Sequence, residues 1–214
     1  CDFNSHQADH FDEAAYISAL IEDLLQELPL IWGRQVTSIF IGGGTPSLFS
    51  AEAIQQLMSE LRACLNFNPA IEVSMECNPG SADESRFQGY REAGINRLSI
   101  GVQSFADSKL QALGRIHDRQ QALSAFAKAR RAGFDNINLD LMYGLPRQSL
   151  DEALDDLRGL FALAPEHLSW YQLTLEPNTV FHARPPAGLP DDEAAWAIHA
   201  AGTEVLAEER DVAV

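Results

Sequence analysis

Five short apolar runs in this 214-residue chain each end on small or hydrogen-bonding residues. The first ends in Gly42-Gly43-Gly44-Thr45, the second in Glu76-Cys77-Asn78 and the third in Gln103-Ser104. The fourth carries Asp140 near its end, and the fifth carries Gln172 and Thr174, followed by Glu176. Three consecutive glycines remove every Cβ from a turn, so a ligand can approach the backbone N–H and C=O groups directly. The glycines do not form a P-loop, because no Gly-Lys-Ser/Thr follows and Pro46 removes a donor. Nor do they fit a dinucleotide fingerprint, because no third glycine opens the helix. The loop suits a ligand with amino and carboxylate groups better than a pyrophosphate. Glu76 and Asp140 are open to three chemistries: a general acid and base, a metal pair, or acceptors for ribose hydroxyls. The bland alternative is a structural ion pair with Arg97 or Arg115.

The remaining reactive residues carry less. The histidines at 6, 10, 117, 167, 182 and 199 show no metal-ligand spacing beyond His6/His10 and are expected at the surface. Cys64 falls on a helix and reads as core, Cys77 as a small filler at a strand end, and Met75 and Met142 as core. Tyr143-Gly144-Leu145-Pro146 reads as a turn.

The elements that position these residues follow from periodicity. Apolar residues from Phe11 to Leu28 recur at helical spacing, with Pro29 expected to end the helix. Strands are expected over Val36–Ile41, Ala70–Cys77, Arg97–Val102, Asn136–Met142 and Leu168–Leu175. Helices are expected over Ser50–Cys64, Ser81–Ala93, Asp118–Ala132, Ser149–Leu163 and Asp191–Glu209, with a Pro/Gly-rich loop near 176–190. Ile39-Phe40-Ile41 is apolar on both faces, as a parallel strand covered by helices must be. Five such alternations mean an α/β protein, either a barrel or a doubly wound sheet. In a barrel, chemistry sits at the C-terminal ends of the strands, where the polar residues fall.

Composition excludes several partners. Acids outnumber bases 31 to 15, for a net charge of −16, so nucleic acid and anionic membrane surfaces are poor partners. No apolar run approaches a membrane span. Three cysteines do not make a disulfide framework and favour a reducing compartment. The chain starts with Cys1 rather than Met, which reads as truncation. The rival reading, an acylated lipoprotein cysteine, is weakened by the helical pattern that follows so soon.

Five segments together resemble a known family: Cys1-Asp2-Phe3-Asn4-Ser5-His6, Gly42 to Ser47, Glu76-Cys77-Asn78-Pro79, Asn96 to Phe105, and Asn138 to Pro146. They resemble the radical SAM branch that contains oxygen-independent coproporphyrinogen III oxidase and its heme-chaperone relatives. The resemblance implies a [4Fe–4S] cluster on a C-x-x-x-C-x-x-C loop, with Cys1 as the third cysteine and the other two preceding the sequence. It also implies S-adenosylmethionine on the open iron, cleaved on reduction to a 5′-deoxyadenosyl radical. Gly43, Gly44 and Thr45 match the contact to the methionine end of that molecule, and Glu76 matches an acid on the same contact. Gln103, Arg115 and Asp140 match the polar set that contacts a second S-adenosylmethionine in the oxidases, and Thr174 matches a backbone contact beside the adenine. No catalytic residue is assigned. The oxidases carry a further cysteine two residues after the third ligand, where this chain has Phe3, as the chaperone branch does.

The resulting expectation is a partial (β/α)6 TIM-like barrel of the radical SAM type over residues 1–214, lacking its first strand and a C-terminal domain. The expected function is that of a cytoplasmic heme chaperone, with heme or a porphyrinogen, an electron donor and a heme-acceptor protein as partners. Oxidative decarboxylation of coproporphyrinogen III is the alternative.

Overall fold

The computed structural model describes residues 11–212, with side chains through residue 209. In chain order the elements are α1 (Glu13–Ile31), β1 (Gln35–Ile41), α2 (Ala51–Cys64), β2 (Asn66–Cys77), α3 (Glu84–Ala93), β3 (Arg97–Gln103), α4 (Asp107–Ala112), α5 (Arg119–Arg131), β4 (Ile137–Tyr143), α6 (Leu150–Phe161), β5 (His167–Gln172), α7 (Val180–Ala183) and α8 (Asp192–Val212). The strands hydrogen-bond in the order β1-β2-β3-β4-β5. The β1–β2, β2–β3 and β4–β5 pairs are all parallel. Strand order that follows chain order without reversal is that of a (β/α) barrel and lacks the switch point of a doubly wound sheet. The expected partial α/β barrel therefore holds.

Helix ends follow local chemistry. The Ser50 hydroxyl accepts from Ala53 N and starts α2, and Asp83 accepts from Arg86 N and starts α3. Ser149 and Glu152 form a reciprocal capping box at α6. Asp118 and Gln121 exchange the same pair of bonds at the start of α5.

The chain groups into two compact units. In the first, residues 11–100 with Leu123–Ile137, α1 and α2 pack through Ile17, Ala53 and Leu57 against Ile21, Ile41, Phe49 and Leu61. Phe87, Tyr90 and Phe134 form a second buried aromatic group there. In the other, Gly101–Ala122 with residues 138–212, Leu113, Met142, Leu145 and Leu173 form one cluster and Tyr143, Ala153 and Ile198 another. Trp170 packs on the latter, and α8 passes so close that a Cβ on Gly202 would lie 1.9 Å from the indole.

Several expectations are corrected. Helix α1 runs to Ile31 with Pro29 inside it, because a proline in the last turn removes only one bond of the ladder. Strand β2 begins at Asn66, ahead of Pro69. Val36 pairs with Phe67 but Ser38 with Glu72, so extra residues of β2 loop out around Pro69, where no N–H is required. Asn68 stabilises that excursion by accepting from Ala70 N at 2.8 Å. Strand β5 ends at Gln172, before Thr174. The short helices α4 and α7 carry too few residues to show a period. Phe40 is 63% exposed, whereas Ile39 and Ile41 on the opposite face of β1 are half-buried, so the end of this strand is covered on one face rather than two.

Candidate functional site

Within the first unit, the parallel register sets Ile41 beside Met75, so the glycine loop leaves β1 next to Glu76. The Gly43 N–H donates to Glu76 Oε2 at 3.3 Å. Gly43 has φ +120°, a conformation L side chains rarely adopt. A Cβ at Gly43 or Gly44 would meet nothing within 4 Å, so the backbone here faces open space. The Thr45 hydroxyl turns back to donate to Gly44 O at 2.7 Å. Ser47, fully buried, ties the loops after β1 and β2 together: its Oγ accepts from Asn78 N at 3.1 Å and pairs with Ser81 Oγ at 2.7 Å. Arg97 pairs with Glu72 at 3.2 Å.

Within the second unit the expected residues are side chains in a polar network. Gln103 closes β3 with φ +69° and is 2% exposed. Its Oε1 accepts from the Tyr171 hydroxyl at 3.2 Å. Asp140 sits in the middle of β4 rather than near its end, opposite Ser169 of β5. The Asn138 amide donates to Asp140 Oδ1 at 2.7 Å and to Ser169 Oγ at 2.9 Å. Burial pushes the Arg115 guanidinium below its ordinary range, while Tyr171 and Asp140 pull it back up. It remains a cation at any ordinary pH, and its buried Nε has no hydrogen-bond partner. Thr174 is exposed past the end of β5 and donates to Glu176 at 2.9 Å.

The structure thus gathers Gly43 with Glu76, and Gln103, Arg115 and Asp140 around Tyr171. Sequence reasoning missed Tyr171, Asn138 and Ser169. Period-two alternation along paired strands was the available signal, because it puts 138 and 140 on the face shared by 169 and 171. It also placed His117 at the surface, whereas His117 is 3% exposed. The segment after α4 folds it back under β3, so that its Nε2–H donates to Val102 O at 3.1 Å. Cys64 is half-buried rather than core. A separate cavity of about 260 Å³ is lined by Tyr143, Gln172, Asp192, Ala195, Trp196 and His199. Tyr143 and Gln172 project from the faces of β4 and β5 opposite Asp140 and Tyr171, so none of the expected contacts lines it.

Each unit by itself offers groups that suit part of an amino-acid zwitterion or a sugar: the glycine-loop backbone with the Glu76 carboxylate in the first, and the Arg115 guanidinium with the Asp140 carboxylate in the second. Neither set suits a cluster. Cys1 lies outside the described residues, and among those described no group of three or more His, Cys, Asp or Glu could hold a metal. Burial pushes the Cys77 thiol up to about 12, with only partial relief from Ser47 and Lys128, whereas a ligand must be a thiolate. Among the described residues, no helix is long and apolar enough to cross a membrane.

Comparison with known proteins identifies the family. The chain is 53% identical over 211 residues to the heme chaperone HemW of Haemophilus influenzae, covering 96% of this chain and 55% of that protein. It is 51% identical to the heme chaperone HemW of Escherichia coli, covering 96% of this chain and 54% of that one. The chain therefore spans about half the length of the curated relatives it matches. The solved structure of coproporphyrinogen III oxidase (HemN) from Escherichia coli, a radical SAM enzyme, superposes with a TM-score of 0.81 at 30% identity, covering 92% of this chain and 46% of that one. The Radical SAM superfamily matches residues 1–159. The chain belongs to the radical SAM superfamily, which implies S-adenosylmethionine and a [4Fe–4S] cluster as cofactors.

Proposed function

We propose that residues 1–214 form one radical SAM core barrel of a cytoplasmic heme chaperone. Cys1 is one ligand of its [4Fe–4S] cluster. Gly43, Gly44 and Thr45 hold the methionine end of S-adenosylmethionine through backbone groups, and Glu76 takes its ammonium. Gln103, Arg115 and Asp140 form a second polar contact set for the same type of ligand, and Thr174 offers its backbone beside the adenine. When bound, the cofactor supplies radical chemistry, and the protein's part is to bind and orient it. The buried Arg115 Nε carries the binding reading, because a buried donor with no protein partner costs free energy that a ligand acceptor would recover. The chaperone reading rests on the 53% and 51% identity to two heme chaperones, against 30% to the oxidase. Phe3, where the oxidases resemble one another in carrying a cysteine, supports the same choice.

Heme is then the cargo, passed to an acceptor protein, with an electron donor as a further partner. Oxidative decarboxylation of coproporphyrinogen III is the second reading, kept by the presence of Gln103, Arg115 and Asp140 together. The two are separated by reconstituting the full-length protein anaerobically and supplying coproporphyrinogen III, S-adenosylmethionine and a reductant. Stable heme binding without turnover is expected. Formation of protoporphyrinogen would overturn the chaperone-only reading.

A further inference from the structure

We propose that Asp156, on α6, is a positioning residue that holds Gln103 in its left-handed conformation and so fixes where the Gln103 amide is presented. This rests on reading Gln103 as a contact to S-adenosylmethionine. A glutamine at φ +69° works against an intrinsic bias of roughly five- to thirtyfold. Such a conformation persists where its surroundings over-determine it. Across Gln103, Ser104 N donates to Val102 O at 2.9 Å and closes a strained three-residue turn, and that turn is pinned on both sides. Before Gln103, Val102 O accepts from His117 Nε2 at 3.1 Å. After it, Asp156 Oδ2 accepts from Ser104 Oγ at 2.7 Å and Oδ1 from Phe105 N at 2.7 Å. Ser104 Oγ in turn accepts from Ala106 N at 3.0 Å, closing the turn into α4.

The chemistry of Asp156 is unusual for a structural residue. It is 4% exposed, among the described residues no ion pair reaches it, and the charges that act on it are the carboxylates of Glu152 and Asp155. Burying a carboxylate without a counter-charge is costly. Both of its oxygens are spent on one corner of backbone, 51 and 52 residues away in sequence. Gly159, one turn further along α6, leaves just enough room for Phe105, whose ring would lie 3.1 Å from a Cβ there. The helix therefore grips both ends of the Ser104-Phe105 step. With that corner fixed, Gln103 meets Tyr171 at 3.2 Å, in the network that also holds Arg115 and Asp140.

The test is a double-mutant cycle on binding of radiolabelled S-adenosylmethionine to the full-length protein. Asp156→Ala is expected to weaken binding by roughly five- to thirtyfold, the bias it no longer opposes. Gln103→Ala weakens it too, and the double variant binds no worse than Gln103→Ala alone, because the two act as a unit. Asp156→Asn, which keeps an acceptor for Phe105 N–H and a partner for Ser104, restores most of the affinity. Additive losses, or wild-type binding by Asp156→Ala, overturn the proposal. Ser104→Ala removes one of the two bonds and serves where Asp156→Ala does not fold. A crystal structure of either variant gives a readout independent of the ligand: Gln103 is expected at negative φ, and φ still near +69° overturns the proposal. If the wild-type protein binds no S-adenosylmethionine, the cofactor reading fails, and the crystallographic readout still decides the role of Asp156.

Discussion

The glycine loop after β1 and the strand-end network of the other unit, the two contact sets proposed above for S-adenosylmethionine, are built by opposite means. The loop works by subtraction: its glycines have no side chains and face open space, and the Gly43 N–H meets Glu76 at 3.3 Å. The network works by addition, with Gln103 buried, Asp140 and Tyr171 hydrogen-bonded, and a corner of backbone tied to a carboxylate more than fifty residues away. The lesson is that contact residues of the first kind are separable from stability, while those of the second kind are part of it.

The sharpest way to break this contrast is Asp156→Ala. It leaves the Ser104 hydroxyl and the Phe105 N–H without their acceptor, and is expected to cost about 3 kcal/mol in urea denaturation. A loss below about 1 kcal/mol would place the network on the same footing as the loop. Gly43→Ala comes next. Its Cβ meets nothing, but φ +120° strains any L residue, so about 1–2 kcal/mol is expected on the same measurement.

His117 gives a pH-dependent effect on stability. Burial lowers the His117 pKa below its ordinary 6.5; the Arg115 charge adds to this, and the Val102 carbonyl and Asp118 oppose it. The unfolded chain therefore takes a proton near pH 6.5 that the folded chain refuses, so this contribution is full above pH 6.5 and is lost as pH falls below it. Denaturation at pH 7.5 and 5.5 should show a drop in the wild type that His117→Gln reduces. Burial raises the Asp156 pKa, which gives a dependence of opposite sign; it is common to both proteins and cancels in that difference. Gly44→Ala is the smallest in stability and the most telling. With no positive φ and no neighbour within 4 Å, it should cost less than about 0.5 kcal/mol, yet weaken S-adenosylmethionine binding measurably. A large stability loss there would end the separation between the two modes.

This contrast also explains what could be read in advance. The five strands were legible because their apolar runs stop at small or polar residues such as Gly42, Asn78, Ser104 and Gly144. The start of β2 was hidden because Pro69 and two asparagines look like a turn, and only the looped-out register with β1 makes room for them. The glycine loop announced itself, since a local sequence is all it consists of. Gln103 was visible at a strand end and Asp140 inside an apolar strand, but their supports were not. Asp156 reads as one more acid on a helix surface, and His117 as one more exposed histidine. Each acquires its role from a partner brought up by tertiary folding, 52 and 15 residues away.

The strand order has a consequence for synthesis. Among the described residues, each strand hydrogen-bonds to the strands just before and after it in sequence. On a ribosome adding roughly 5–20 residues per second, the stretch from Gln35 to Asn66 emerges within a few seconds. A growing chain thus meets its next pairing edge already made, and no strand must wait for a distant one. One edge of the sheet stays at β1 and the other is always the newest strand, so part of the hazard of stray pairing moves along the nascent chain with it.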